Sequence, residues 1–82
     1  MPSVDEEIAL LEQEIKRLGV MNNNGQYEVT YGVLFKDEQV ANTFEALLGT
    51  LKAAKKRKRI HFEGELLLQG VHDHVLVTLL KQ

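Results

Sequence analysis

The sequence has no cysteine, no tryptophan, a single proline and no long run of apolar residues. Without cysteine there is neither a disulfide framework nor a thiolate metal site. Without a long apolar segment, neither a secretory signal peptide nor a transmembrane helix is expected. The expected compartment is therefore the cytoplasm, and no membrane partner is expected.

Net positive charge is also missing, because twelve acidic residues outnumber ten basic ones and the formal net charge is −2. This balance makes general nucleic-acid binding an unfavoured interpretation. The charges are nevertheless separated along the chain: five acidic residues lie within the first fourteen positions, and six basic residues lie between positions 52 and 59. The molecule is therefore expected to be electrically polar, which favours orientation against a charged partner.

The length of 82 residues predicts a single domain, residues 1–82. A chain of this size buries only about 60 to 65% of its unfolded surface and cannot support two cores. The hydrophobic content of 44% is ordinary for a globular domain, and its regular apolar pattern argues against disorder.

The N-terminal segment has the pattern of an amphipathic helix. Ser3 and Glu6 have the spacing of a capping box, in which each side chain satisfies a backbone amide of the other residue. Gly19 is predicted to end the helix. The predicted buried stripe consists of Val4, Ile8, Leu11, Ile15 and Leu18.

Three short strands are predicted from alternating apolar residues at 27–31, 60–62 and 75–79. A short helix or turn is predicted around the apolar cluster 33–35. The order helix, strand, short helix, long helix and two strands matches a winged helix. The sequence therefore predicts an α+β fold that is winged-helix-like, with three helices packed on a small antiparallel sheet.

The segment 40–59 is predicted to be the helix around which the domain is built. Phe44, Leu47, Leu48 and Leu51 recur at i, i+3, i+4 and i+7, which places them on one face above the core. A break near Asn42 is favoured, so that the residues before it form a separate turn.

The candidate partner-binding residues are the cations at the end of this helix. Cations at a helix C-terminus are favoured by about 0.3 to 1 kcal/mol each, but one or two suffice for that effect. Six within eight positions repel one another, so their excess indicates an acidic partner surface, while a merely solvated helix end is the alternative. They are Lys52, Lys55, Lys56, Arg57, Lys58 and Arg59.

The outward face of the same helix argues against the reading of DNA bases. Ala46, Gly49 and Ala53 lack the donors and acceptors that base edges require. Gly49 within a helix costs about 1 kcal/mol relative to alanine. A close approach of another backbone is therefore expected there, either from the same fold or from a partner protein.

No metal, cofactor or catalytic activity is expected. His61, His72 and His74 are the chain's three histidines, and no acidic or cysteine ligand accompanies them at a diagnostic spacing. There is no nucleophile motif, phosphate-binding loop or cofactor fingerprint. A domain of this size also offers little room for a deep pocket.

Three blocks of the sequence resemble the Costars family. They are EIKRLG at 14–19, GVLF at 32–35 continuing to FEALLGTLKAAK at 44–55, and GELLLQGVHD at 64–73. The resemblance implies a compact winged-helix-like domain, similar to the C-terminal actin-binding domain of the striated-muscle activator of Rho signalling. It also implies a link to actin dynamics and cell motility, and no enzymatic activity.

With this resemblance, the expected acidic partner becomes actin. The chain is interpreted as a monomeric, cytoplasmic, cytoskeleton-associated binding module that contacts actin or an actin-associated protein through the basic helix end. Two alternatives stay open: a winged-helix nucleic-acid-binding domain, and a scaffold that binds another protein through the loop 64–73.

Overall fold

The computed structural model describes residues 3–80 and folds them into four helices and four strands. The α+β class predicted from the sequence is confirmed, but the described residues form four helices where three were predicted. In chain order the elements are α1 Val4–Leu18, β1 Val20–Met21, β2 Tyr27–Thr30, α2 Tyr31–Lys36, α3 Glu38–Thr43, α4 Leu47–Lys56, β3 Ile60–His61 and β4 Leu76–Leu79.

The four strands form one antiparallel sheet in the order β1-β2-β4-β3. Val29 of β2 lies opposite Val77 of β4, and both are buried at the centre of the sheet. The strand β1 is missing from the sequence prediction, because two exposed residues offer no alternation to detect. Tyr31 was predicted in a strand, but it begins α2 because the Thr30 hydroxyl caps that helix by accepting the Val33 N–H.

The helix α1 has the start and the end that its sequence predicts. The Ser3 hydroxyl accepts the Glu6 N–H and the Glu6 carboxylate accepts the Ser3 N–H, which completes the capping box. Gly19 follows the helix, and its N–H donates to the Ile15 carbonyl. The stripe is buried through its centre, but Val4 is exposed because the first turn extends beyond the core.

The helix predicted over 40–59, with a break favoured near Asn42, is divided instead at residues 44–46. Asp37 starts α3 early by accepting the Val40 N–H on its carboxylate, at 3.0 Å. The helix then ends at Thr43, just after the predicted break near Asn42. Phe44 has an extended backbone, which directs its ring into the core before α4 begins at Leu47.

One hydrophobic core lies between the sheet and the helices. Its largest fully buried side chains include Ile8, Leu11, Ile15, Leu34, Leu51, Ile60, Phe62, Leu67 and Val77.

Within residues 3–80, no helix has the length and apolar character needed to cross a lipid bilayer.

Candidate functional site

Two of the six predicted partner-binding cations hold the fold together. The Lys55 Nζ donates to the Gly64 carbonyl and lies 4.3 Å from the centroid of the Phe62 ring, a cation–π contact. The Arg59 Nη2 donates to Glu12 Oε1 on α1 at 2.8 Å. Lys55 and Arg59 therefore tie a loop and a helix to the end of α4.

The other four cations are exposed to solvent. The Arg57 Nε lies 3.8 Å from Asp5 Oδ1, an exposed pair that contributes little stability. The side chains of Lys52, Lys56 and Lys58 make no hydrogen bond or ion pair with any residue between positions 3 and 80. We call Lys52, Lys56, Arg57 and Lys58 the exposed basic patch.

Lys58 occupies a backbone conformation that usually belongs to glycine. Its φ is +59°, and no other non-glycine residue in the described part of the chain has a positive φ. The Lys58 N–H donates to the Lys55 carbonyl and the Arg59 N–H to the Ala54 carbonyl, which is the Schellman pattern at a helix C-terminus. A lysine here costs about 1 kcal/mol relative to glycine, because a side chain disfavours the left-handed conformation.

Replacing Lys58 with glycine is expected to raise the free energy of unfolding by about 1 kcal/mol, because glycine adopts this φ without strain. Urea denaturation measures the change. Lys56→Gly is the matched control, since it also removes an exposed cation but places glycine in the last turn of α4, where stability should fall by about 0.5 to 1 kcal/mol. A loss of stability in Lys58→Gly would contradict the strain at Lys58.

The segment 64–73, here called the leucine loop, divides its three leucines between the core and the surface. Leu67 is 2% exposed, whereas Leu66 and Leu68 are 47% and 44% exposed. The sequence leaves open whether these leucines fill the core or act in a loop. Leu67 belongs to the core, and its neighbours present apolar surface to solvent.

Hydrogen bonds hold the leucine loop in one shape. The Leu68 N–H donates to His72 Nδ1 at 2.9 Å, and the Gly70 N–H donates to the Asp73 carboxylate at 2.6 Å. The Asp73 carbonyl accepts the Gly32 N–H at the start of α2. The fold therefore joins two of the sequence blocks on which the family resemblance depends.

The leucine loop is one wall of an open apolar cleft of about 600 Å³. The other walls are α2, α3, residues 44–46 and the first turn of α4. Phe35, Leu48 and Leu68 line it and are partly or largely accessible to solvent. The periodicity that assigned Leu48 to the core could not reveal this cleft, because the cleft depends on the chain break after α3.

Tyr31 also lines this cleft, although most of its side chain is buried. Burial raises the pKa of the Tyr31 phenol above its ordinary value, and the nearby Asp73 carboxylate raises it further. A hydrogen bond with Gln69 acts in the opposite direction. The phenol is therefore a neutral polar group beside the apolar wall at physiological pH.

No other backbone of residues 3–80 approaches Gly49, so the sequence expectation is wrong for an approach from the same fold; an approach by a partner protein stays a prediction. A methyl group added there would meet only the Ala46 side chain, at an ordinary distance of 3.8 Å. Gly49 and Ala46 border a shallow groove beside Val4 of α1. Packing within the fold therefore does not require a residue as small as glycine at position 49.

The three histidines occupy different environments. His72 accepts a hydrogen bond inside the leucine loop, His61 lies on the edge strand β3 with its Nε2 3.5 Å from Glu63 Oε1, and His74 is exposed. Between positions 3 and 80, no three histidine, aspartate or glutamate side chains are close enough together to hold a metal ion.

The fold and these surfaces define a small α+β protein in which a basic helix end lies beside an apolar cleft. Residues 3–80 match the family model described as Costars. The chain belongs to the Costars family.

Similar proteins occur in plants and animals. A Costars family protein of Arabidopsis thaliana is 66% identical over 94% of this chain and 81% of its own length. The Costars family protein ABRACL of Coturnix coturnix is 61% identical over 96% of this chain and 98% of its own length. The solution structure of the human HSPC280 protein matches with a TM-score of 0.87 and 57% identity, over 99% of this chain and 95% of that one.

Proposed function

We propose that this chain is a non-catalytic regulator of the actin cytoskeleton that contacts actin or an actin-associated protein through the exposed basic patch. The observation that carries the proposal is the exposure of Lys52, Lys56 and Lys58, which have no acidic partner among residues 3–80. Actin has an acidic surface, and the Costars resemblance supplies the link to actin dynamics. The proposed setting is the cytoplasm and its cytoskeleton.

The proposed contact uses fewer residues than the six cations that the sequence predicts. Lys55 and Arg59 are engaged with Gly64, Phe62 and Glu12, so changing them would disturb the fold as well as a contact. Binding should therefore be tested at Lys52 and Lys56, which are exposed and lie one turn apart on α4.

The fold is proposed to be winged-helix-like. Because many winged-helix domains bind DNA, nucleic-acid binding is a second candidate function. The outward side of α4 presents Lys52 and Lys56 beside Gly49, without the arginine, asparagine or glutamine side chains that contact base edges. Lysines alone attract phosphates without reading sequence. A protein partner is therefore favoured over DNA.

The double substitution Lys52→Glu and Lys56→Glu is expected to reduce co-sedimentation with filamentous actin by at least about tenfold in affinity, because attraction to an acidic surface becomes repulsion. Pelleting is measured across a salt series, with circular dichroism to confirm folding. The matched control compares the single variants Lys52→Glu and Lys16→Glu, which change the net charge equally at exposed sites inside and outside the patch.

Equal pelleting of Lys52→Glu and Lys16→Glu would contradict the proposed contact. If the unmodified protein does not pellet at physiological salt, direct filament contact is wrong and the contact belongs to an actin-associated protein. Where the protein does pellet, pelleting should decline with rising salt, since exposed charges are screened.

A further inference from the structure

The apolar cleft and the exposed basic patch form one continuous surface. Leu48 lines the cleft, and Lys52 follows it by one helical turn along the same side of α4. Lys56 lies one turn beyond Lys52. An apolar wall therefore leads directly into cations that have no partner between positions 3 and 80.

The leucine loop, which is one wall of the cleft, is anchored to the rest of the fold. Lys55 bonds to the Gly64 carbonyl, which fixes the start of the leucine loop to α4. Leu67 is buried in the core, and Asp73 bonds to the first turn of α2. A partner therefore meets a preformed cleft, and little ordering cost opposes binding.

The shape of the cleft favours a helical occupant. Its lining comes from helices, the 44–46 segment and the leucine loop, and no strand of the sheet contributes to it. An extended peptide could not add a strand here and would leave its backbone groups unpaired. A helix satisfies its own backbone hydrogen bonds and needs only an apolar side to enter.

The charged residues around the cleft determine which charges a bound helix should have and where they should lie. Lys52 and Lys56 lie beyond Leu48, while Glu45 lines the cleft before the start of α4. Acidic side chains of a partner are therefore favoured toward the lysines and disfavoured near Glu45. Apolar side chains of the partner would be buried against Phe35, Leu48 and Leu68.

We propose that the cleft binds an acidic amphipathic helix of a partner protein, with its apolar side between α2, α4 and the leucine loop and its acidic residues at Lys52 and Lys56. The proposal rests on the proposed function, because this helix would belong to actin or to the actin-associated protein. It identifies the kind of segment that the exposed basic patch recognises.

The test uses a synthetic helical peptide of about 16 residues, with leucine at i, i+3, i+4 and i+7 and glutamate at the other exposed positions. It is titrated into the isotope-labelled full-length protein and followed by NMR. Saturable shift changes are expected around Phe35, Leu48, Lys52 and Leu68. A peptide with lysine in place of glutamate should bind at least about tenfold more weakly.

Paired variants test the site itself. Leu68→Ser should weaken peptide binding by about tenfold or more, because Leu68 is a cleft side chain. Leu76→Ser is the matched control, since Leu76 is 48% exposed on β4, against 44% for Leu68, and does not line the cleft. Lys52→Glu, alone or with Lys56→Glu, should weaken binding of the acidic peptide, and Lys16→Glu should not.

The absence of shifts at millimolar peptide, shifts centred elsewhere, or equal binding of the lysine peptide would each overturn the proposal. Concentration-dependent shifts around Phe35 without peptide would also overturn it, because a second copy of the chain would then be the occupant. Filament pelleting that is lost with the lysine variant but kept in Leu68→Ser would reject the helix and retain the proposed function. Peptide binding in the cleft by a protein that does not pellet with filaments would retain the helix and reject direct filament contact.

Discussion

Replacing Leu67 with alanine is expected to lower the free energy of unfolding by about 3 kcal/mol. Leu67 is the only leucine of the loop 64–73 that is buried, and it packs in the core with the chain's other large apolar side chains. The substitution removes apolar contacts and leaves a cavity that the surrounding helices and sheet cannot fully close. Small domains have a total stability of roughly 5 kcal/mol, so more than half would be lost.

Urea denaturation followed by circular dichroism measures this loss. Leu66→Ala and Leu68→Ala are the controls within the same loop, and each should cost less than about 1 kcal/mol because these side chains are nearly half exposed. Similar losses for all three leucines would contradict the division of the loop between core and surface.

The parts of the fold that the sequence predicts well are those with a local cause. The capping box of Ser3 and Glu6, the stop at Gly19 and the buried stripe of α1 each depend on residues a few positions apart. The alternation of Val77 and Leu79 likewise marks one side of β4. Such patterns are present in the chain before any tertiary contact forms.

The break between α3 and α4 has a tertiary cause, and the sequence places it near Asn42, slightly before its position at residues 44–46. Phe44 fits helical spacing with Leu47 and Leu51, so periodicity alone joins it to α4. The backbone of Phe44 is extended and its ring is buried in the core. The break at this point lets α3 and α4 run in different directions, so that both helices pack on the core. Burial at Phe44 overrides the local helical pattern.

The candidate site shows the same division. The chemical type of the exposed basic patch follows from the sequence, since a dense run of cations at a helix end is visible there. The separate roles of Lys55 and Arg59 do not follow, because their partners Phe62, Gly64 and Glu12 are brought near only by folding. The apolar cleft is equally invisible, since it is formed by segments far apart in the chain.

Replacing Gly19 with alanine is expected to lower the free energy of unfolding by about 3 kcal/mol, the upper part of the range for overpacking. An added methyl group would lie 2.4 Å from the Glu28 carbonyl oxygen and 2.7 Å from the Ile15 carbonyl oxygen. Both atoms belong to backbone, so neither can move like a flexible side chain. The end of α1 and the strand β2 would have to separate.

Gly49→Ala is the matched control for Gly19→Ala, because the same methyl group enters open space within a helix. It should raise the free energy of unfolding by about 0.5 to 1 kcal/mol, through the higher helix propensity of alanine. The two substitutions should therefore move the urea midpoint in opposite directions. If Gly19→Ala changed the free energy of unfolding as little as Gly49→Ala does, the close contact between Gly19 and the backbone of β2 would be contradicted.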